Sequence, residues 1–314
     1  MSRPEKFRLH RVRLVQLLLY FLLRSIVMVL SMFASSAAPS IARVLGGLIR
    51  TIDRKHVRIA VKNLEKSGDV CPPDRIRDFI VRVYEHIALG FVEMLMTPRM
   101  IERRELMTHV TLKNFELLAG YQKGGKGVIL TIGHQGNWEM CGLVVLLAGY
   151  KLNVLARPID NPWIDRYLNR FRTMTGQRVI SRDRALGEMI RVLQNNGLLV
   201  IQMDQDARQS GVYVNFFGRP ASTHRSPAVL SLKYGAPIVP VNVYREGAHH
   251  TVIATEPIYP DAFRDDPDPT KALTQAFSER FEEFVRQHPE QWFWIHDRWR
   301  TAERSARSAT EALV

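Results

Sequence analysis

Residues 14–34 open the chain with a nearly unbroken apolar run, LVQLLLYFLLRSIVMVLSMFA, interrupted only by Gln16, Arg24, Ser25 and Ser31. Beyond it the apolar positions become periodic. Residues 41–66 and 73–96 repeat at helical spacing, the second starting after Pro72-Pro73. Val110 and Leu112 begin a strand, and GVILTIG (127–133) is a short apolar run bounded by glycines, the pattern of a buried strand. A helix follows, capped by Asn137 and running to about Tyr150. Strand 152–156, helix 161–175, helix 184–195 and the buried strand LLVIQM (198–203) come next. Helix 226–234 closes at Gly235. Strands at 238–244 and 251–258 and a helix at 270–287 complete the pattern. Strands alternating with helices predict an α/β layer fold, and the two late strands, close together in sequence, predict a mixed sheet. The last dozen residues read as a polar, frayed helix or tail.

Charge changes the reading of the first segment. The chain has 314 residues and a net charge of +13. Residues 1–65 hold twelve basic groups and three acids, so +9 of the excess lies in the first fifth. Basic residues around an apolar run point to an anionic membrane surface rather than to nucleic acid. Length alone allows a span. Arg24 at mid-segment opposes one, since a charge at the bilayer centre costs about 2.5–3.5 kcal/mol on insertion scales. The expectation is a helix lying in or dipping into the cytoplasmic leaflet, with a full span as its rival. A cleavable signal fits less well, because the small residues 34–38 lead into another basic helix. The implied organisation is an anchor over 1–40, a catalytic unit over 41–300 and a tail over 301–314. With only Cys71 and Cys141, the chain has no cysteine zinc site and no disulfide framework.

Two segments carry candidate chemistry. The run from Gly120 to Gly127 looks like a phosphate-binding loop. It precedes its strand instead of following one, and glycine stands where a hydroxyl would bind magnesium. Gly133-His134-Gln135-Gly136-Asn137-Trp138-Glu139 is stronger: a histidine directly after a buried strand, with a carboxylate five residues on at a helix start. If His134 sits in the turn, Glu139 in the first helical turn can reach an imidazole nitrogen and leave the other as a base. There is no Gly-x-Ser-x-Gly elbow, and neither cysteine has an activating context. The nucleophile is then the substrate's own hydroxyl. Arg157, Arg170 and Arg172 are candidates to clamp a phosphate with paired hydrogen bonds. Asp204 and Asp206 follow the buried strand 198–203, where α/β folds place their sites. No further ligands lie near them, so no metal or cofactor is expected.

Taken in order, His134-Gln135-Gly136-Asn137-Trp138-Glu139, Arg157-Pro158, Asn161-Pro162, Met203-Asp204-Gln205-Asp206, Phe216-Phe217-Gly218-Arg219-Pro220, Gly235-Ala236-Pro237 and Pro289-Glu290-Gln291-Trp292-Phe293-Trp294 resemble the bacterial lipid A biosynthesis late acyltransferases. That family belongs to the wider lysophospholipid and glycerol-phosphate acyltransferase group. The resemblance covers roughly residues 10–300. It implies a glycerol-phosphate-acyltransferase-like α/β fold with a mixed central sheet flanked by helices and an N-terminal membrane anchor. It implies that His134 deprotonates an acceptor hydroxyl, which attacks an acyl thioester, and that Glu139 orients and charges the histidine. It implies that Asp204 organises the pocket by holding Arg172 or Arg157. Residues 212–220 would wall the site, with Arg219 its closest contact, and Asn137, Arg157, Arg172, Asp204, Asp206 and Arg219 would bind substrate. Trp292, Phe293, Trp294 and Trp299 read as packing.

The implied donor is acyl carrier protein or acyl-CoA. The acceptor is a phosphorylated glycolipid, a lipid A precursor before a lysophospholipid or a phosphatidylinositol mannoside. The implied location is the cytoplasmic face of the inner membrane. A silent lipid-binding homologue is the rival from another class, and the paired His134 and Glu139 argue against it. A nucleic-acid binder rests only on the basic charge, and no recognition motif for one is present.

Overall fold

The computed structural model describes residues 3–102, 106–156, 158–174, 176–181 and 185–311. Its centre is a seven-stranded sheet built from β1 (Val110–Lys113), β2 (Val128–Ile132), β3 (Leu152–Ala156), β4 (Arg178–Ser181), β5 (Leu198–Gln202), β8 (Ile238–Glu246) and β9 (His249–Ala254). The order across the sheet is β1-β9-β8-β2-β5-β3-β4. All neighbours pair in parallel except β8 and β9. Gly247, at φ +60, makes the short turn between those two. The sheet is therefore mixed, as the spacing of the late strands predicts. Strand β4, absent from the sequence reading, supplies one edge.

Strands β2, β5 and β8 are buried on both faces, which is why they read as continuous apolar runs. Ile129, Leu199, Ile201 and Ile238 point into one core with Phe277 and Phe281 of α10 (Pro269–Gln287). Leu130, Ile132, Val239 and Val241 point into the other, against Met140, Leu143 and Val144 of α6 (Trp138–Leu147). A separate hairpin, β6 (Val212–Phe216) and β7 (Arg219–Thr223), turns at Phe217 and Gly218, both at positive φ.

The stretch 41–66 is two helices, α2 (Ala38–Ile52) and α3 (Arg54–Glu65). The break is at Asp53, whose carboxylate accepts from the His56 backbone N–H and caps α3. The long helix α4 (Ile76–Glu102) lies across α2, with Ala42 and Gly46 in the contact. A Cβ on Gly46 would fall 2.8 Å from the Tyr84 carbonyl oxygen, so only glycine permits that approach.

Helix α1 (Arg3–Leu30) contains Val12–Leu30, long and apolar enough to cross a membrane by length and composition. Gln16 and Arg24 of this helix contact the segment that follows β3. Gln16 exchanges hydrogen bonds with the Asp160 carbonyl and the Asn161 side chain. The Arg24 guanidinium packs on Tyr20 and on Tyr167 of α7 (Pro162–Met174). Leu14, Leu18, Phe21, Leu22 and Val29 are left exposed. The C-terminal stretch is a helix, α11 (Arg300–Glu311), pinned by Glu303 to Lys62, Lys66 and Arg219.

Candidate active site

β2 and β5 pair with a constant offset of seventy residues, from Val128 opposite Leu198 to Ile132 opposite Gln202. His134 and Asp204 each lie two residues beyond a strand end with that same offset, so the sheet delivers them side by side. The imidazole Nδ1 is 2.7 Å from Asp204 Oδ1, and the His134 backbone N–H donates to Oδ2 at 2.8 Å. Trp292 donates its indole N–H to Oδ2 at 2.8 Å. A carboxylate only accepts, so Nδ1 carries the hydrogen and Nε2 is left bare. Nε2 has no hydrogen-bond partner among the described residues.

The turn that holds His134 depends on two glycines. A Cβ on Gly133 would fall 1.9 Å from the Phe281 ring. Gly136 sits at φ +59, with Val243 O 2.3 Å from where its Cβ would be. The strand-like segment around Trp292 straps the turn from outside. The Phe293 N–H donates to His134 O, and the Gly136 N–H donates to Gln291 O. Trp138 and Phe293 close round the imidazole with centroid separations of 5.1 and 6.0 Å.

Burial disfavours the imidazolium, but the charge and hydrogen bond of Asp204, with the charge of Glu139, outweigh it. The His134 pKa is raised above its ordinary 6.5. Burial pushes the Asp204 carboxyl up, but the charge and hydrogen bond of His134, with the hydrogen bond from Trp292, pull it well below the usual range.

Several of the sequence-predicted residues make contacts within the protein. Glu139 does not bond the imidazole. It stands in the first turn of α6, where Arg172 of α7 grips it with Nε at 3.0 Å and with Nη2. Asp204 holds His134 and Trp292 rather than an arginine. Asn137 caps α6 through the Met140 N–H and donates to Glu93, so both ends of its amide are used internally. Arg219 packs over Trp299 and pairs with Glu303, tying the hairpin to α11. Asp206 accepts from Thr301 Oγ1 at 2.6 Å and lines the groove described below. Arg157 lies outside the described residues. Arg170 borders a shallow surface groove with Asp165 and Arg166. The loop ending at Gly127 leads into β2, which excludes a phosphate loop of the strand-to-helix kind.

Two hollows share Leu155, Ala156 and Gln202 in their walls, and the larger also takes in His134. One is a narrow apolar slot of about 60 Å³ between the sheet and α6 and α7, lined by Leu130, Trp138, Val145 and Val200, with Glu139 and Arg172 in its wall. The other is an open polar groove of about 1260 Å³ that includes His134, Gln205 and Asp206.

Comparison with known proteins places this architecture. Residues 5–301 match the model of the bacterial lipid A biosynthesis acyltransferase family. Similar proteins include the phosphatidylinositol mannoside acyltransferase of Mycobacterium tuberculosis, 28% identical over 56% of this chain and 55% of that protein. They also include lipid A biosynthesis acyltransferase 2 of Shigella flexneri, 24% identical over 85% of this chain and 84% of that protein. Lipid A biosynthesis lauroyltransferase of Escherichia coli is 25% identical over 82% and 83%. The match spans about half the length of the mycobacterial relative and more than four-fifths of the other two. The chain belongs to the bacterial lipid A biosynthesis acyltransferase family.

Proposed function

We propose that this member of the lipid A biosynthesis acyltransferase family moves a fatty acyl chain from an acyl thioester to a hydroxyl of a phosphorylated glycolipid at a membrane surface. The observation that carries this reading is His134, with Nδ1 locked by Asp204 and a bare Nε2 on a residue that lines the groove. Nε2 takes the proton of the acceptor hydroxyl. The alkoxide attacks the thioester carbonyl, a C–O bond forms, and the thiolate leaves and takes up the proton from His134. Asp204 stabilises the imidazolium formed meanwhile. The N–H groups of Trp138 and Glu139 at the start of α6 are our assignment for oxyanion stabilisation, with the helix dipole in support.

The two hollows divide an amphiphile between them. The apolar slot, at about 60 Å³, suits a few methylenes of a hydrocarbon chain, and the polar groove suits a headgroup. In this reading the Glu139–Arg172 pair keeps the slot wall in place, and the Glu139 charge raises the basicity of His134. Glu139→Gln is expected to lower kcat about tenfold, about 1.4 kcal/mol of barrier. A loss as large as that of His134→Ala would make Glu139 a direct partner in proton transfer.

In the same reading, residues 1–40 anchor the catalytic unit, 41–300, to the inner membrane on its cytoplasmic face. The chain lacking residues 1–29 is expected to leave membranes in a high-salt wash, whereas the full chain needs detergent. Retention of the shortened chain after that wash would place the anchor elsewhere.

The function is tested by offering the purified chain acyl thioesters of acyl carrier protein and of coenzyme A. A lipid A precursor, a phosphatidylinositol mannoside and lysophospholipids serve as acceptors, read by mass spectrometry. A mass gain of one acyl chain on a phosphorylated glycolipid is expected. A gain confined to lysophospholipids would overturn the acceptor class, and no gain from folded protein would overturn the activity.

A further inference from the structure

The polar groove holds a set of charges that the chemistry at His134 does not use. Lys55 of α3, Arg208 on the turn before β6, and Arg300 and Arg304 of α11 all line it. All four are exposed, and among the described residues none has a side-chain hydrogen bond or ion pair. Among the described residues, the groove's carboxylates are Asp206 and Asp297. Asp206 accepts from Thr301, and Asp297 pairs with Lys62 at 3.5 Å. Neither neutralises the four cations.

Eight arginines elsewhere pair with carboxylates, while others among the described residues, such as Arg58 and Arg75, do not. Arg172, Arg178, Arg191, Arg219, Arg245, Arg264, Arg280 and Arg286 all meet carboxylates. What sets the four cations apart is their place: three elements gather them on one concavity that also takes in His134. The positions are also held firmly. Arg300 and Arg304 are one turn apart, on one face of α11. That helix is fastened by Glu303 to Lys62, Lys66 and Arg219. Arg208 has φ +57, a left-handed backbone that favours glycine or asparagine. An arginine kept in that conformation at the groove wall is strain of the kind that collects at binding sites.

We propose that Lys55, Arg208, Arg300 and Arg304 form a phosphate clamp on the wall of the His134 groove. The clamp takes a ligand carrying two or more phosphate charges. The guanidinium forks of three arginines match phosphate oxygens in pairs. The groove is concave and deep, which suits a small, dense polyanion better than the scattered carboxylates of an acidic protein surface. Arg172 and Arg219, which the family resemblance puts at the site, are engaged with Glu139 and Glu303. The inference rests on the acyltransferase reading for which substrate brings the phosphates. It does not rest on that reading for the clamp itself. Phosphates on the acceptor headgroup and phosphates on a coenzyme A donor share this chemistry.

The test uses the full chain in detergent. Inorganic pyrophosphate is expected to raise the melting temperature of the wild type and of His134→Ala. It should have no effect on the double variant Arg300→Ala/Arg304→Ala, and Arg300→Lys/Arg304→Lys should keep part of the shift. Loss of the pyrophosphate shift in the alanine pair, with one cooperative transition in its absence, supports the clamp whether or not any transfer activity is found. No shift in the wild type, or the same shift in the alanine pair, overturns it. In the transfer assay the alanine pair is expected to raise the KM of the phosphate-bearing substrate tenfold or more and to change kcat little. A rise for the glycolipid assigns the clamp to the acceptor, and a rise for the coenzyme A thioester assigns it to the donor. A rise confined to donor on acyl carrier protein, with no pyrophosphate shift, overturns the phosphate assignment in favour of an acidic protein surface.

Discussion

His134→Ala is expected to reduce acyl transfer by about four orders of magnitude or more, because general-base assistance and the charge pairing behind it disappear together. The loss should fall on kcat rather than on binding of either substrate. The fold has reason to survive. Asp204 keeps the indole N–H of Trp292 and the backbone N–H of residue 134 as donors, and the turn stays strapped to the segment around Trp292. Some stability is lost with the pair, since the Asp204 carboxylate remains buried with one partner fewer. His134→Gln, which can still present a side-chain N–H to Asp204, separates the two effects. It should melt closer to the wild type and be as inactive as the alanine variant. Activity within tenfold of the wild type in either variant would remove His134 from the chemistry.

Asp204→Asn is expected to cost about two to four orders of magnitude in kcat, with the protein folded. The amide oxygen can still accept from Trp292, so the packing around it is kept. Two things change at His134. Nδ1 no longer faces an obligate acceptor, so the tautomer with a bare Nε2 is no longer imposed. The negative charge that favours the imidazolium is also gone. Burial, which opposes it, remains, and the His134 pKa should fall. The variant therefore keeps a deprotonated imidazole at lower pH while being slower at every pH. A slower enzyme with an unchanged pH profile would mean that Asp204 serves packing alone.

Much of this site was legible along the chain, and the misreadings have one cause. The two buried strands, the histidine at the end of the first and the aspartate at the end of the second follow from apolar runs bounded by glycines. The partner of His134 was assigned to Glu139 because it is near in sequence. Pairing across parallel strands is not a local property. Even so, Gly127 to His134 and Gly197 to Asp204 are strings of equal length, each running from a glycine through a buried strand to a polar residue. Laying one beside the other puts His134 opposite Asp204. Trp292 gave no such signal, since a core tryptophan and one that donates to a buried carboxylate look alike in sequence.

The ion pairs of the arginines were hidden for a related reason. The partner of Arg219 is invisible while the C-terminal residues read as a frayed helix or tail with no fixed place. Helix α11 (Arg300–Glu311) brings Glu303 to Arg219 and presents Arg300 and Arg304 to the groove. The break at Asp53 was hidden because the apolar spacing runs on through it, and the aspartate that caps α3 looks like any surface acid. Edge strand β4, four residues long with a mixed burial pattern, is too short to show a period.

The measurement that bears most directly on the account is the pH dependence of kcat/KM for the wild type, Glu139→Gln and Asp204→Asn. That ratio reports groups that titrate in the free enzyme. The base must be deprotonated, and its pKa is raised in the folded protein, so the rate of the wild type should rise through an apparent pKa above 6.5. In Glu139→Gln the limb should move only slightly to lower pH, because one distant charge is lost. In Asp204→Asn it should move furthest, because the contacting carboxylate is lost. A limb that stays fixed in Asp204→Asn and moves in Glu139→Gln would contradict the pairing of His134 with Asp204 as the seat of the chemistry.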